Sequence, residues 1–120
     1  MNKNKTGKLG EKIAKNYLEK NGIKIIEENY FTKFGEIDLI GIENKTIIFI
    51  EVKLRFSNSF GAPYEAVDLK KWEKLQNAAS LYLTEHNIND MECRFDVISL
   101  LYLNDTKKFN IEWLKNQSFY

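Results

Sequence analysis

The sequence has little cysteine or histidine and no long apolar run. Cys93 is the only cysteine and His86 the only histidine in 120 residues, so an intramolecular disulfide and a Cys/His zinc site are excluded. No apolar run approaches membrane-spanning length, and the charged residues 1–6 are not followed by the apolar stretch of a signal peptide. We therefore expect a soluble protein of the reducing cytoplasm, without a membrane partner.

Linkers, repeats and low-complexity tracts are also missing. A chain of 120 residues, 43% hydrophobic and 13% aromatic, suffices for one core, and we expect a single domain over residues 1–120. The net charge of +1 decides nothing about nucleic acid, because a whole-chain sum hides the distribution of charge. Lysine is concentrated in residues 1–24. This region is either a phosphate-binding patch or the result of a lysine-rich composition.

Hydrophobic periodicity predicts two helices and five strands. The first helix is predicted from about Thr6 to Lys20, before an Asn21-Gly22 stop. The second is predicted from about Asp68, as N-cap, to Thr84, with these side chains turned inward: Leu69, Trp72, Leu75, Ala79 and Leu83. Strands are predicted from Lys24 onward, in both arms of a hairpin, over Arg94–Leu101 and over Lys108–Leu114, and a loop over Arg55–Tyr64.

This order of elements predicts an α/β fold, with a mixed sheet of about five strands flanked by helices. The second helix would carry the chain from the third strand to the fourth. A right-handed crossover of this kind makes those two strands parallel.

The hairpin is the most informative segment, and its turn is predicted at Asn44-Lys45, since Asn tolerates the positive φ of tight turns. A two-residue loop sets the following pairs: Glu43 with Thr46, Ile40 with Phe49, Asp38 with Glu51, and Glu36 with Lys53. Opposed Cβ atoms lie roughly 4.5–5.5 Å apart, where like charges are destabilising. Asp38 and Glu51 therefore favour a hard divalent cation between them, and Lys53 projects to the face of Glu51.

Strict alternation assigns the other hairpin residues to two faces. One face carries Ile40, Phe49 and Ile47 beside the two acids, and the other carries Ile37, Leu39, Ile48, Ile50 and Val52. Both faces are then largely buried, and acids seldom lie buried without a partner. The alternative is a solvated polar face on which Lys53 forms a surface ion pair with Glu36 or Glu51.

These residues resemble the PD-(D/E)XK nuclease superfamily, in which an acid on one strand is followed by Glu-x-Lys on the next. The chain also resembles the small YraN-like family (uncharacterised protein family 0102), which is related in fold to Holliday-junction resolvases. The similarity covers nearly the whole chain, in these segments: Gly7-x-x-Gly10-Glu11-x-x-Ala14-x-x-Tyr17-Leu18, Gly35–Ile40, Phe49–Arg55, Gly61–Val67 and Arg94–Val97. Ile37 replaces the proline of the superfamily motif, and Leu54 stands where a small polar residue is expected.

The resemblance implies a restriction-endonuclease-like fold and metal-assisted hydrolysis of DNA phosphodiester bonds. Asp38 and Glu51 would hold one or two Mg²⁺ or Mn²⁺ ions, with the carbonyl of Val52 as a further ligand. Lys53 would orient the attacking water and stabilise developing charge. Glu11, on the same side of the first helix as Ala14 and Leu18, is either the helical glutamate that resolvase-like relatives use or an ordinary surface residue. The implied partner is branched or structured DNA, and the analogy with resolvases adds a homodimer.

Two other functions stay open: a nucleic-acid-binding adaptor that does not cleave, and a structural partner protein. Several residues have two interpretations. The lysines of the second helix, Lys70, Lys71 and Lys74, form a solvated face or contact phosphate. The aromatic residues Phe56, Phe60 and Tyr64 anchor a loop or stack on bases. Arg94 and Asp96 are expected to form a structural pair.

Overall fold

A computed structural model of the chain describes residues 3–56 and 69–118, with side chains from Gly7 onward. The elements in chain order are α1 (Lys3–Lys20), β1 (Lys24–Thr32), β2 (Gly35–Glu43), β3 (Thr46–Phe56), α2 (Leu69–Glu85), β4 (Glu92–Leu103) and β5 (Lys108–Leu114). The strands form one sheet in the order β1-β2-β3-β4-β5. β3 and β4 are parallel and the other neighbours are antiparallel. The predicted α/β fold is confirmed, including the parallel fourth strand.

The hairpin of β2 and β3 turns at Asn44 and Lys45, as predicted. Asn44 has a φ of 55°, which asparagine tolerates better than most residues. The pairing follows the predicted sum in each of these pairs: Glu43–Thr46, Ile42–Ile47, Gly41–Ile48, Ile40–Phe49 and Leu39–Ile50. The register ends there and does not include the predicted pairs Asp38–Glu51 and Glu36–Lys53. Just beyond the last pair, the backbone N–H of Val52 donates to Oδ2 of Asp38 at 2.8 Å. A side chain of one strand thus caps the backbone of the other where this pairing ends.

One helix covers each face of the sheet. On one face, α1 contributes Ala14 and Leu18 to a cluster with Ile23, Leu39, Ile48, Ile50, Ile98 and Leu100. On the other, α2 contributes Leu75, Ala78, Ala79 and Tyr82 to a cluster with Ile37, Ile40, Ile47 and Phe49. Burying a large apolar side chain contributes roughly 1.5–3 kcal/mol. The hairpin is therefore held from both sides, as its two apolar faces require.

Strict alternation fails within β2. Ile37 and Ile40 both pack in the cluster on the α2 side, whereas alternation places them on opposite faces. The predicted face of Ile37 is therefore wrong. Leu39, between them, packs toward α1 as predicted. The irregularity falls at Asp38, the residue that the sequence assigns to metal binding.

Several predicted boundaries and one predicted orientation are also wrong. α1 begins at Lys3 rather than near Thr6, because a first helical turn can form from polar residues and does not need the apolar ones on which the prediction relied. β3 continues through Phe56, into the predicted loop, because it pairs with the long strand β4 along its whole length. Leu69 is 52% exposed rather than turned inward, since it is the first residue of α2. Asp68 and residues 57–64 of the predicted loop lie outside the described residues.

Asp96 is the centre of a structural network on β4 and is 1% exposed. It accepts hydrogen bonds from the guanidinium of Arg94, Nε1 of Trp113 and the backbone N–H of Asn116. The predicted pairing of Arg94 with Asp96 is confirmed. Because its oxygens receive donors from β4, β5 and the segment after β5, this carboxylate joins the last strand to the sheet.

Among the described residues, neither helix has the length and apolar character that a membrane-spanning helix requires.

Candidate metal centre

Three carboxylates converge beside the end of the paired part of the hairpin. Ligand oxygens of Glu11, Glu36 and Asp38 all lie within 4.8 Å of one another. Glu36 and Asp38 are two residues apart on β2, and Glu11 extends from α1. Ala14 and Leu18, on the same side of α1 as Glu11, are fully buried and hold the helix against the sheet. The structure thus brings the predicted Glu11 and Asp38 together and adds Glu36, which the sequence placed opposite Lys53.

Asn29 of β1 links two of these carboxylates. Its Nδ2 donates to Oε2 of Glu11 and to Oε1 of Glu36, both at 2.7 Å. Asn29 has a φ of 52° within a strand, in the left-handed region that asparagine tolerates. A hydrogen bond to an ionised carboxylate is stronger than a neutral one, so this amide offsets part of the repulsion. Sequence reasoning missed Asn29 because a single asparagine in a strand has no motif.

Glu51 is paired with two lysines. It is 8% exposed, and its Oε1 lies 2.6 Å from Nζ of Lys71 and 3.7 Å from Nζ of Lys53. The ion pair of Lys53 with Glu51, expected as an alternative, is therefore present. Lys70 and Lys74 are exposed, whereas Lys71 is half-buried. The interpretation of these lysines as a solvated face is wrong for Lys71, because the first turns of α2 bring it over Glu51.

The carboxyl of Asp38 is strongly perturbed. Burial, followed by repulsion from Glu51, raises its pKa from 3.8 to about 8. Glu11 and Glu36 raise this pKa further, and the hydrogen bond from Val52 opposes the rise. Without a cation, this carboxyl is therefore largely protonated at pH 7.

The two lysines are perturbed in opposite directions. Burial and the neighbouring Lys71 lower the pKa of Lys53. Burial is the largest single influence on Lys71 and acts to lower its pKa, but the hydrogen bond and charge of Glu51, with smaller contributions from Lys53 and Asp38, together raise the pKa. The ammonium of Lys71 is therefore the one that Glu51 stabilises more strongly.

The donor set fits Mg²⁺ or Mn²⁺. The cluster consists of the carboxylates of Glu11, Glu36 and Asp38. The predicted ligand Glu51, with Lys53 and Lys71, lies outside this cluster but close enough to raise the pKa of Asp38. Opposite oxygens around an octahedral Mg²⁺ lie roughly 4 Å apart, so a cluster within 4.8 Å needs only small side-chain shifts. The excess of negative charge and the all-oxygen chemistry suit a hard dication. The carbonyl of Val52 as a ligand stays a prediction.

Aromatic side chains near the site differ in exposure. Phe31, which faces Glu36 across β1 and β2, is 74% exposed, and sequence analysis did not single it out. Phe56 packs edge-to-face on Tyr102 at a centroid distance of 5.8 Å and is 41% exposed, so both of its interpretations stay predictions. Phe60 and Tyr64 lie outside the described residues.

Comparisons with known proteins agree on one family. The family model described as Uncharacterised protein family UPF0102 matches residues 10–100, which include the four acids and both lysines. A UPF0102 protein of Caldanaerobacter subterraneus subsp. tengcongensis is 47% identical over 107 residues, which are 89% of this chain and 87% of the relative. One of Alkaliphilus oremlandii is 43% identical over 118 residues, 97% of this chain and 98% of the relative. The chain therefore belongs to the YraN-like family UPF0102.

Proposed function

We propose that the protein is a Mg²⁺- or Mn²⁺-dependent endonuclease that hydrolyses DNA phosphodiester bonds. The observation that carries the proposal is the convergence of Glu11, Glu36 and Asp38 beside Glu51 and Lys53. These residues occupy the strand order of the PD-(D/E)XK motif. A structural role alone does not explain why a small domain gathers so many carboxylates in a partly buried position.

Each side chain has a defined part in this proposal. The divalent ion would be held by the carboxylates of Asp38, Glu51, Glu11 and Glu36. Asn29 keeps Glu11 and Glu36 in place through its two hydrogen bonds. The bound ion supplies a water of lowered pKa and neutralises charge on the scissile phosphate. The carboxyl of Asp38 gives up its proton when the site is loaded, because a ligand carboxyl must be ionised.

Lys53 is the group proposed to act on the transition state. Its ammonium is half-buried, and strand geometry holds it two residues from Glu51. A fixed positive charge in a partly desolvated site stabilises negative charge that develops during the reaction, and it can orient the attacking water.

The substrate and assembly are also proposals. The exposed ring of Phe31 beside Glu36 offers a stacking surface for an unpaired base, which supports branched or structured DNA as the substrate. We also propose a homodimer, supported by the resemblance to resolvases, and a cytoplasmic location, supported by the composition of the chain.

A nucleic-acid-binding adaptor that does not cleave is the second candidate. The ion pairs of Glu51 with Lys71 and Lys53 favour the adaptor, because they neutralise the buried carboxylate without a metal ion. In a nuclease Lys53 would contribute to the cleavage rate, whereas in an adaptor it would contribute only to DNA affinity.

Cleavage of a panel of labelled DNAs separates the two functions. The panel contains duplex, nicked, flap and four-way-junction DNA, each with Mg²⁺, Mn²⁺ or EDTA. Lys53→Ala should lower the cleavage rate about a hundredfold to a thousandfold and leave DNA affinity nearly unchanged. Lys53→Arg should rescue incompletely, because a planar guanidinium differs from a compact ammonium. Lys45→Ala, which removes an exposed lysine at the hairpin turn, is the control and should cleave normally.

The adaptor predicts a different pattern. If the wild-type protein cuts no substrate with either metal, and Lys53→Ala only weakens DNA binding, the nuclease proposal is wrong.

A further inference from the structure

Lys71 occupies an unusual position among the lysines of α2. Its Nζ is 2.6 Å from a carboxylate oxygen of Glu51, closer than the 3.7 Å of Lys53 to the same oxygen. The side chain of Glu51 is 9% exposed, whereas that of Lys71 is 42% exposed. The ammonium therefore enters the site from the solvent side, while the carboxylate is fixed inside it.

The two lysines differ in how freely they can leave Glu51. Lys53 and Glu51 share one strand, so the backbone of β3 sets their separation. Lys71 belongs to another element, and its side chain is 42% exposed against 27% for Lys53, so its four-carbon stem has more room to turn outward. Rotation of that stem can remove its ammonium from the site without any movement of the sheet.

A divalent ion and the ammonium of Lys71 compete for one oxygen. A buried carboxylate needs a positive partner or a donor, and Lys71 supplies both in the arrangement described. A divalent ion bound to Oε1 of Glu51 would neutralise this carboxylate in place of Lys71. The charge of the ion would also repel the ammonium of Lys71. Metal loading should therefore turn Lys71 toward the entrance of the site, where a phosphate would lie.

We propose that Lys71 is the internal counterion of the metal-free site, and that metal binding releases its ammonium to a phosphate oxygen of nucleic acid. This inference rests on the proposed function and extends it, because it makes metal binding and nucleic-acid binding mutually favourable. Coupling of two ligands is reciprocal, so DNA should also raise the affinity for metal.

Calorimetric titration with Mn²⁺ tests the first half. The proteins are the wild type, Lys71→Met and Lys70→Met. Methionine keeps an apolar stem without the charge, and Lys70 is an exposed lysine of the same first turn. Lys71→Met should bind Mn²⁺ about three- to tenfold more tightly than the wild type, since no ammonium competes for Glu51. Lys70→Met should match the wild type.

Thermal unfolding provides a second measurement. Lys71→Met should lower the melting temperature in EDTA, because the mutation removes a partner of a buried carboxylate. The loss should shrink in saturating Mn²⁺, where the ion takes over that role. Equal losses in EDTA and Mn²⁺ would mean that Lys71 is only a structural partner, and they would overturn the proposal.

Salt dependence of DNA binding tests the second half. A Lys53→Ala background slows cleavage enough for binding to be measured. Binding of a labelled four-way junction is then followed against NaCl concentration with Mn²⁺ and with EDTA. Each phosphate contact contributes about 0.9 to the slope of log K against log salt. Mn²⁺ should steepen this slope by about one unit more when Lys71 is present than in Lys71→Met. No difference between the two overturns the release to phosphate.

The outcomes distinguish failure of this inference from failure of the proposed function on which it rests. If the wild type binds Mn²⁺ and Lys71→Met binds it equally or more weakly, the inference is wrong while the metal centre stands. If the wild type binds no Mn²⁺, the metal centre is wrong and the inference falls with it.

Discussion

Replacing Asp38 with asparagine should stabilise the metal-free protein, increasingly so as the pH rises. Burial and repulsion from Glu51 raise the pKa of this carboxyl to about 8, so ionising it opposes folding. Asparagine cannot ionise, and its amide oxygen can still accept the hydrogen bond from the N–H of Val52. The substitution therefore removes the electrostatic penalty and keeps the local structure.

The magnitude follows from proton linkage. Between the ordinary pKa of 3.8 and the folded value of about 8, folded Asp38 is protonated while the unfolded residue is ionised. The folded state then binds one more proton, and a rise in pH favours unfolding by about 1.4 kcal/mol per pH unit. The stability contributed by this group is complete below the unfolded pKa and is lost as the pH rises to the folded pKa. From pH 5 to pH 8 the loss is up to about 4 kcal/mol.

Urea unfolding in EDTA, at pH values from 5 to 9, measures this effect. The free energy of unfolding of Asp38→Asn minus that of the wild type should increase by up to about 4 kcal/mol between pH 5 and pH 8 and then level off. Asp90→Asn removes an exposed carboxyl before β4 and should show no such trend. Mn²⁺ should stabilise the wild type but not Asp38→Asn.

Two results would refute this reasoning. A stability difference that does not change with pH would show that Asp38 is not destabilised by its surroundings. Full stabilisation of Asp38→Asn by Mn²⁺ would show that the metal binds elsewhere.

Three further predictions address the site and its support. Mn²⁺ binding below pH 8 should release about one proton from Asp38, so affinity should rise roughly tenfold per unit between pH 6 and pH 7.5, as measured by calorimetry in buffers of different ionisation enthalpy. Asp96→Ala should lower the free energy of unfolding by about 3–5 kcal/mol, because it leaves buried donors unpaired, and should not change Mn²⁺ affinity; a near-neutral result would contradict the structural role. Gly41→Ala should destabilise by about 1–3 kcal/mol in urea unfolding, since the new Cβ would lie 2.6 Å from Cγ2 of Ile23, whereas at Gly7 nothing lies within 4 Å and the same change should not destabilise.

Local patterns in the sequence determined most of the fold. Asparagine at position 44 marks the turn, and its position sets the register of β2 and β3 because antiparallel pairing has a constant sum. The helical stretch between β3 and β4 dictates a crossover, and chirality then makes these strands parallel. Such signals are reliable because they depend on backbone geometry and on periods of two or 3.6 residues.

The resemblance to a nuclease superfamily supplied the site residues Asp38, Glu51, Lys53 and Glu11 as predictions. Periodicity alone suggested a pair of opposed acids and put Glu11 on the side of the first helix that carries Ala14 and Leu18, but it did not distinguish a site residue from a surface glutamate. It also failed at Ile37, because one local irregularity in a strand changes the face to which a side chain points.

Tertiary structure alone decided the composition of the site. Glu11 and Asn29 are 18 residues apart, and Glu51 and Lys71 are 20 apart, yet each pair forms a hydrogen bond. These contacts exist because α1 and α2 pack on opposite faces of one sheet, a distance relation that no local period encodes. The elevated pKa of Asp38 has the same origin, since burial and the approach of acids from other positions appear only when the elements are packed together.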